Sequence, residues 1–82
     1  MTAPIRLPEI GAGQATLSVS SWLVDTGELV DLGDRVVELG TASSTFDVPA
    51  PVAGRLSRID KPLDADVAVG DILGWIEPEP GT

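Results

Sequence analysis

With no cysteine and no histidine among its 82 residues, the chain can attempt chemistry only through carboxylates, hydroxyls and a single amine, Lys61. Asp31, Asp34, Asp64, Asp66 and Asp71 gather near glycines and prolines, a pattern that raises the question of a calcium site or an acid/base pair. Their spacing is not that of a twelve-residue calcium loop, and aspartates in such stretches serve mainly to form solvated turns. Hydroxyls gather at Thr41, Ser43, Ser44 and Thr45. A serine nucleophile needs an activating base, and without imidazole only a carboxylate or Lys61 is left, so Ser43 and Ser44 read as turn residues. Missing thiols and imidazoles also argue against a disulfide framework and zinc ligation, and with the calcium spacing absent no metal site is expected. The chain is expected not to be an enzyme in its own right.

The hydroxyl cluster lies between two apolar arms, residues 36–39 and 46–48, which predicts a hairpin with its tip midway along the chain. Pro49 and Pro51 each remove a backbone donor, so the second arm must end there or run along a sheet edge. With those arms taken as strands at 35–39 and 45–48, others are expected at residues 5–8, 15–24, 29–30 and 54–59, with Leu56, Ile59 and Val52 buried, and residues 67–71 and 72–76 close the domain. In the second of these the alternation changes phase around Trp22, Leu23 and Val24, which predicts a bulge or burial on both faces. Gly27 is expected at positive φ in the turn 25–28. Trp22 and Trp75 read as core or core-rim aromatics rather than ligand-stacking groups. Glycine or proline interrupts nearly every window long enough for a helix. The expected fold class is all-β, a small sandwich or barrel, with an OB or SH3-like barrel as the competing form. Residues 1–77 make one domain, and 78–82 begin a proline-rich linker or tail with nothing apolar to bury.

Thirteen acidic residues against five basic ones give a net charge of -8. Nucleic acids and anionic membrane surfaces require a positive footprint, so neither is an expected partner; a partner should instead present lysine and arginine. The N-terminus lacks the basic and apolar regions of a signal peptide, and no apolar run approaches the roughly 18 residues of a spanning helix. A cytoplasmic, monomeric domain is the expectation.

The chain also repeats itself. Val30-Asp31-Leu32-Gly33-Asp34 is answered 37 residues later by Val67-Ala68-Val69-Gly70-Asp71, and the same offset carries Leu17 to Gly54, Trp22 to Ile59, Val36 to Leu73 and Leu39 to Ile76. Two similar halves related by a pseudo-twofold axis are implied, each too small to bury its own apolar face. Gly33 and Gly70 are then expected to hold matched turns at positive φ.

Taken together, Leu7-Pro8-Glu9-Ile10-Gly11, Trp22-Leu23-Val24, Gly27-Glu28-Leu29-Val30, Gly33-Asp34, Val48-Pro49-Ala50-Pro51-Val52-Ala53-Gly54 and Val69-Gly70-Asp71 resemble the lipoyl domain of 2-oxo acid dehydrogenase acyltransferases. The likeness runs from about Ile5 to Glu77. It implies a flattened barrel of two four-stranded antiparallel sheets with pseudo-twofold halves, with the termini together at one end and a lipoate-bearing turn at the other. It also implies that partner enzymes read that turn and the loop after the first strand, here Gly11, Ala12, Gly13 and Gln14.

At the turn the chain departs from the pattern. Where the family has glutamate, threonine, aspartate, lysine and alanine, this sequence has Gly40, Thr41, Ala42, Ser43 and Ser44. Ser43 thus matches the attachment position, and a hydroxyl cannot form the amide link to lipoate. The related biotinyl domains need a lysine between methionines at the same place, which Ala42, Ser43 and Ser44 also lack. In the second half, Asp64 stands where the repeat would put a glycine equivalent to Gly27, a change that the left-handed region tolerates at modest cost. The resemblance therefore implies no cofactor on this chain and a structural or docking role among 2-oxo acid dehydrogenase complex proteins. A freestanding binding module without a prosthetic group and an unrelated small all-β domain are the alternatives.

Overall fold

Short apolar runs between aspartate- and glycine-bearing turns become eight strands. The computed structural model describes residues 2–10 and 16–79, with β1 at Ala3–Arg6, β2 at Leu17–Trp22, β3 at Leu29–Val30, β4 at Arg35–Gly40, β5 at Thr45–Pro49, β6 at Gly54–Ile59, β7 at Asp66–Val67 and β8 at Ile72–Pro78. There is no helix among the described residues. The strands form two four-stranded antiparallel sheets, ordered β1-β8-β6-β3 and β5-β4-β2-β7. β5, which runs into Pro49, is an edge strand, where a residue without an amide proton does least harm.

Between the sheets lies one apolar core: Leu17 and Val19 of β2, Val36, Val37 and Leu39 of β4, Leu56 of β6, and Leu73 and Ile76 of β8, closed by Ile5, Leu7, Val30, Val48, Ala50 and Val67. No polar or charged residue is buried with them among the described residues. Each large aliphatic side chain contributes about 1.5–3 kcal/mol on burial, which has to offset the ordering of a chain with little interior to spare.

Hydrogen bonding repeats at the offset of 37 almost bond for bond. In the β2–β4 pair, Val19 faces Leu39 and Trp22 faces Val37, with a register shift between Val19 and Ser21. The β6–β8 pair has Leu56 facing Ile76 and Ile59 facing Gly74, with the shift between Leu56 and Arg58. The amide of Gly27 donates to the Leu56 carbonyl at 2.7 Å, and the amide of Asp64 donates to that of Val19 at 2.8 Å. Those two bonds cross from one half to the other. The short strands cross as well, because β3 pairs with β6 and β7 with β2, so each half supplies the edge of the other's sheet.

The turns follow the same rule. Gly33 and Gly70 have φ of 89° and 92°, Gly27 has 92°, and Asp64, Gly27's counterpart, has 71°. Beside each of the first two an aspartate side chain closes the turn: Asp34 accepts from the Asp31 amide and Asp71 from the Ala68 amide, both at 2.9 Å. These carboxylates complete turns, as their composition suggests.

Several local expectations are corrected. β1 begins and ends earlier than residues 5–8, because Leu7 leaves the strand to hook onto the turn before β8: its amide donates to Asp71 and its carbonyl accepts from Gly70. β2 covers less than residues 15–24, and its bulge falls between Val19 and Ser21, just ahead of the expected place around Trp22, Leu23 and Val24. β7 takes in Asp66, expected in the preceding loop, and ends at Val67, with the expected turn of Gly70 after it, while β8 continues past residue 76 to Pro78, opposite Gly54. Val52 and Ile59 are half-buried and pack against the core rather than inside it. Trp22 also packs against the core, but Trp75, next to the buried Ile76 on β8, is directed to the outward side of its sheet.

Candidate functional site

The hairpin between β4 and β5 forms because nothing from Gly40 to Thr45 is bulky enough to oppose a tight reversal, and Thr41 supplies the bonds that close it. Gly40 pairs with Thr45 as the last rung. Beyond it the Thr41 amide donates to the Ser44 carbonyl at 2.8 Å. The Thr41 hydroxyl oxygen accepts from the amides of Ser43 at 3.2 Å and Ser44 at 3.0 Å, and the hydroxyl lies 3.3 Å from the Ser44 carbonyl, to which it donates. A threonine side chain thus takes the place of a backbone acceptor, a turn device open to short hydroxyl residues. No tip residue has positive φ.

Ala42, Ser43 and Ser44 are exposed and Thr41 is half-buried. The Ser43 and Ser44 hydroxyls have no protein partner among the described residues. No charged residue occurs between Glu38 and Asp47, so the tip offers solvent two hydroxyls and a methyl group, with neither a base nor an amine. The chain's one amine is elsewhere. Lys61 lies in the connection from β6 to β7, where its amide donates to the Leu73 carbonyl and its own carbonyl accepts from the Trp22 indole at 2.8 Å. Its half-buried side chain reaches to 4.0 Å from Asp71.

The sites proposed from sequence therefore fall into separate regions. Thr41, Ala42, Ser43 and Ser44 share the tip, whereas Gly27, Gly33 and Gly70 shape turns of the barrel. Gly11, Ala12, Gly13 and Gln14, expected to form a recognition loop, lie outside the described residues. No group of three or more carboxylates is placed to hold a metal ion among the described residues.

Sequence reasoning missed a cluster on the outward side of the β1-β8-β6-β3 sheet. Arg58 lies over the Trp75 ring, 5.6 Å from its centroid, and donates to Asp60 at 2.7 Å; the Trp75 indole also donates to Asp60, at 2.8 Å. Hydrogen bonds from Arg58 and then Trp75 hold the Asp60 carboxyl below the ordinary aspartate range, with the Arg58 and Lys61 charges acting the same way. The only sequence signal is Arg58 two residues before Asp60 in a chain poor in cations.

A family described as "biotin-requiring enzyme" matches residues 3–76. The succinyltransferase component of the 2-oxoglutarate dehydrogenase complex of Bartonella vinsonii subsp. berkhoffii is 38% identical over 77 residues, which are 94% of this chain and 19% of that protein. The acetyltransferase component of the pyruvate dehydrogenase complex of Mycobacterium bovis is 36% identical over 89% of this chain and 13% of its own length. This chain thus spans a fifth or less of those relatives. The solution structure of the lipoyl domain of the 2-oxoglutarate dehydrogenase complex from Azotobacter vinelandii superposes with a TM-score of 0.69, at 26% identity, covering 93% of this chain and 98% of that one.

Proposed function

The chain belongs to the biotin/lipoyl attachment family, and from that premise we propose that it is a lipoyl-type domain of a 2-oxo acid dehydrogenase acyltransferase component that carries no prosthetic group and acts as a docking or structural module. The observation that carries this reading is the chemistry of the tip. Ser43 matches the family's attachment lysine in the order of the surrounding motifs, and an amide to lipoate or biotin needs an amine that its hydroxyl does not provide. The residues present therefore do not fit either group. Lys61 is a poor substitute, since its backbone is bonded on both sides and its ammonium lies toward Asp71.

With no attached arm and no nucleophile–base pair, surface recognition is the activity left to the domain. Membership of a 2-oxo acid dehydrogenase complex is part of the proposal, supported by relatives that are components of 2-oxoglutarate and pyruvate dehydrogenase complexes. At a net charge of -8, a cytoplasmic partner would be drawn by its lysines and arginines. A decarboxylase or dihydrolipoamide dehydrogenase that reads a charged tip would bind weakly.

Incubation with lipoate ligase, ATP and lipoate, followed by intact mass, is expected to show no adduct. A stoichiometric adduct on Lys61 would overturn the reading. Ser43→Lys is expected to restore modification poorly and Ser43→Lys with Ala42→Asp to do better; equal rates would show that the missing acidic neighbour does not matter.

A further inference from the structure

Positions 37 apart give an internal control on what the barrel requires, because a feature the fold depends on should occur in both halves. The outward side of the β1-β8-β6-β3 sheet holds a group that does not. Trp75 stands in register between Pro4 of β1 and Arg58 of β6, with Arg58 stacked on its ring and Asp60 accepting from both. The corresponding residues of the other half are Glu38, Ser21 and Leu23. There Ser20 donates to the Glu38 carboxylate at 2.9 Å, and the sheet closes in the same register without an aromatic ring. Beside Trp75 opens a groove of about 400 Å³, lined also by Thr2, Ser57 and Arg58. Two exposed carboxylates follow the strands that carry it: Asp60 directly after β6, accepting from Arg58 and Trp75, and Glu79 directly after β8, 3.6 Å from the Arg55 guanidinium.

We propose that this groove is a docking site for a protein segment in which an apolar side chain is flanked by lysine or arginine. The proposal rests on the reading of the chain as a recognition module. Tryptophan and arginine are the residues most often found to dominate binding when a partner covers them. Here the indole is already held by Asp60 and Arg58, so little side-chain freedom remains to be lost on binding. The apolar side chain fills the groove against the indole, while its basic neighbours meet Asp60 and take the place of Arg55 beside Glu79. The charge of -8 attracts such a segment and opposes an acidic one.

The test is a titration of the 15N-labelled 82-residue chain with the acetylated, amidated peptide Lys-Leu-Lys-Leu-Lys and with its glutamate counterpart. The basic peptide is expected to move the Trp75 indole resonance and the amides of residues 57–60, leaving the Trp22 indole still. Trp75→Thr should weaken binding by at least about tenfold, while Trp75→Phe, which keeps an aromatic platform, should stay within about threefold. Shifts spread evenly over both outward sheet faces, including Glu38 and Asp47, would reduce the effect to bulk charge and overturn the proposal. So would preference for the glutamate peptide, or concentration-dependent shifts at Trp75 without peptide, which would give the face to a second copy. If Trp75→Thr does not fold, the shift map of the unsubstituted chain decides. A lipoyl adduct seen by mass would defeat the reading of the tip and leave these shifts unchanged, so the two fail separately.

Discussion

At the bulge of β2, Ser20 donates to the Glu38 carbonyl at 3.2 Å; at the bulge of β6, Ser57 donates to the Trp75 carbonyl at 3.1 Å. The two acceptors lie 37 residues apart and play one part in the backbone, yet one belongs to a carboxylate residue and the other to an indole. The two halves agree in bulges, turn bonds and the φ of their turns, where a change would cost the fold. They differ on outward faces and at the ends, where side chains are free to serve something else. One half ends in the Thr41–Ser44 tip. At the equivalent place the other half has the start of β1 beside the last part of β8, through the pairing of Ala3 with Ile76.

The largest test of this comparison uses a place where it fails inside the barrel. Gly54 corresponds to Leu17, a core residue, but a β-carbon on Gly54 would run into the backbone of Glu77 and Pro78 in β8. Gly54→Ala is expected to cost about 3 kcal/mol or more in urea unfolding, since backbone cannot yield as a flexible side chain can. A loss below about 1 kcal/mol would mean that the β6–β8 pair is looser than its register suggests.

Next in size are the matched turns. A β-carbon at Gly33 or Gly70 meets nothing within 4 Å, so only the left-handed backbone opposes substitution. Gly33→Val and Gly70→Val should each cost about 1–2 kcal/mol, equally, and add when combined. With only about 5 kcal/mol expected in total, the double variant should be largely unfolded near 40 °C. Unequal single losses would break the equivalence of the halves.

The smallest effect sharpens the comparison on the surface. Asp60 corresponds to Leu23, so its acid response belongs to one half only. A carboxyl whose folded pKa is depressed contributes stability above its unfolded value, near 3.9, and loses it as pH falls through the lower folded value. A 13C titration of Asp60 should therefore have a midpoint below about 3.9, raised most by Arg58→Gln and less by Trp75→Phe. An unshifted midpoint would mean that the Arg58–Asp60–Trp75 cluster does not persist in solution.

Much of the barrel was legible in the sequence because turn chemistry is local. Gly33-Asp34 and Gly70-Asp71 specify one turn twice, and fixing two turns 37 residues apart goes far toward setting the register of the strands between them. The tip was legible too, as a hairpin of small hydroxyl residues, although the role of the Thr41 oxygen as a substitute acceptor was not. The face of Trp75 was hidden for a physical reason. Residues 72–76 are apolar or glycine throughout and show no period of two, and the facing bulge at Ser57 changes the phase on the neighbouring strand. Leu73 and Gly74 are both buried in succession, which alternation alone would not predict. Gly74 is explained by its neighbours: the Trp22 indole fills the space above it, and a β-carbon there would meet the Arg58 carbonyl.

Exchange of the short strands has a mechanical consequence. Each half's sheet borrows its last rung from the other, so the halves cannot part as two units that each keep an intact sheet. Pulled from the start of β1 and the end of β8, the barrel would load the β1–β8 ladder at Ala3 and Ile76 first, one rung at a time and in the peeling direction. That edge is the weak seam, and once β1 is lifted away Ile5 leaves the core uncovered. The tip, at the far end of β4 and β5, carries little of the load until the seam has opened.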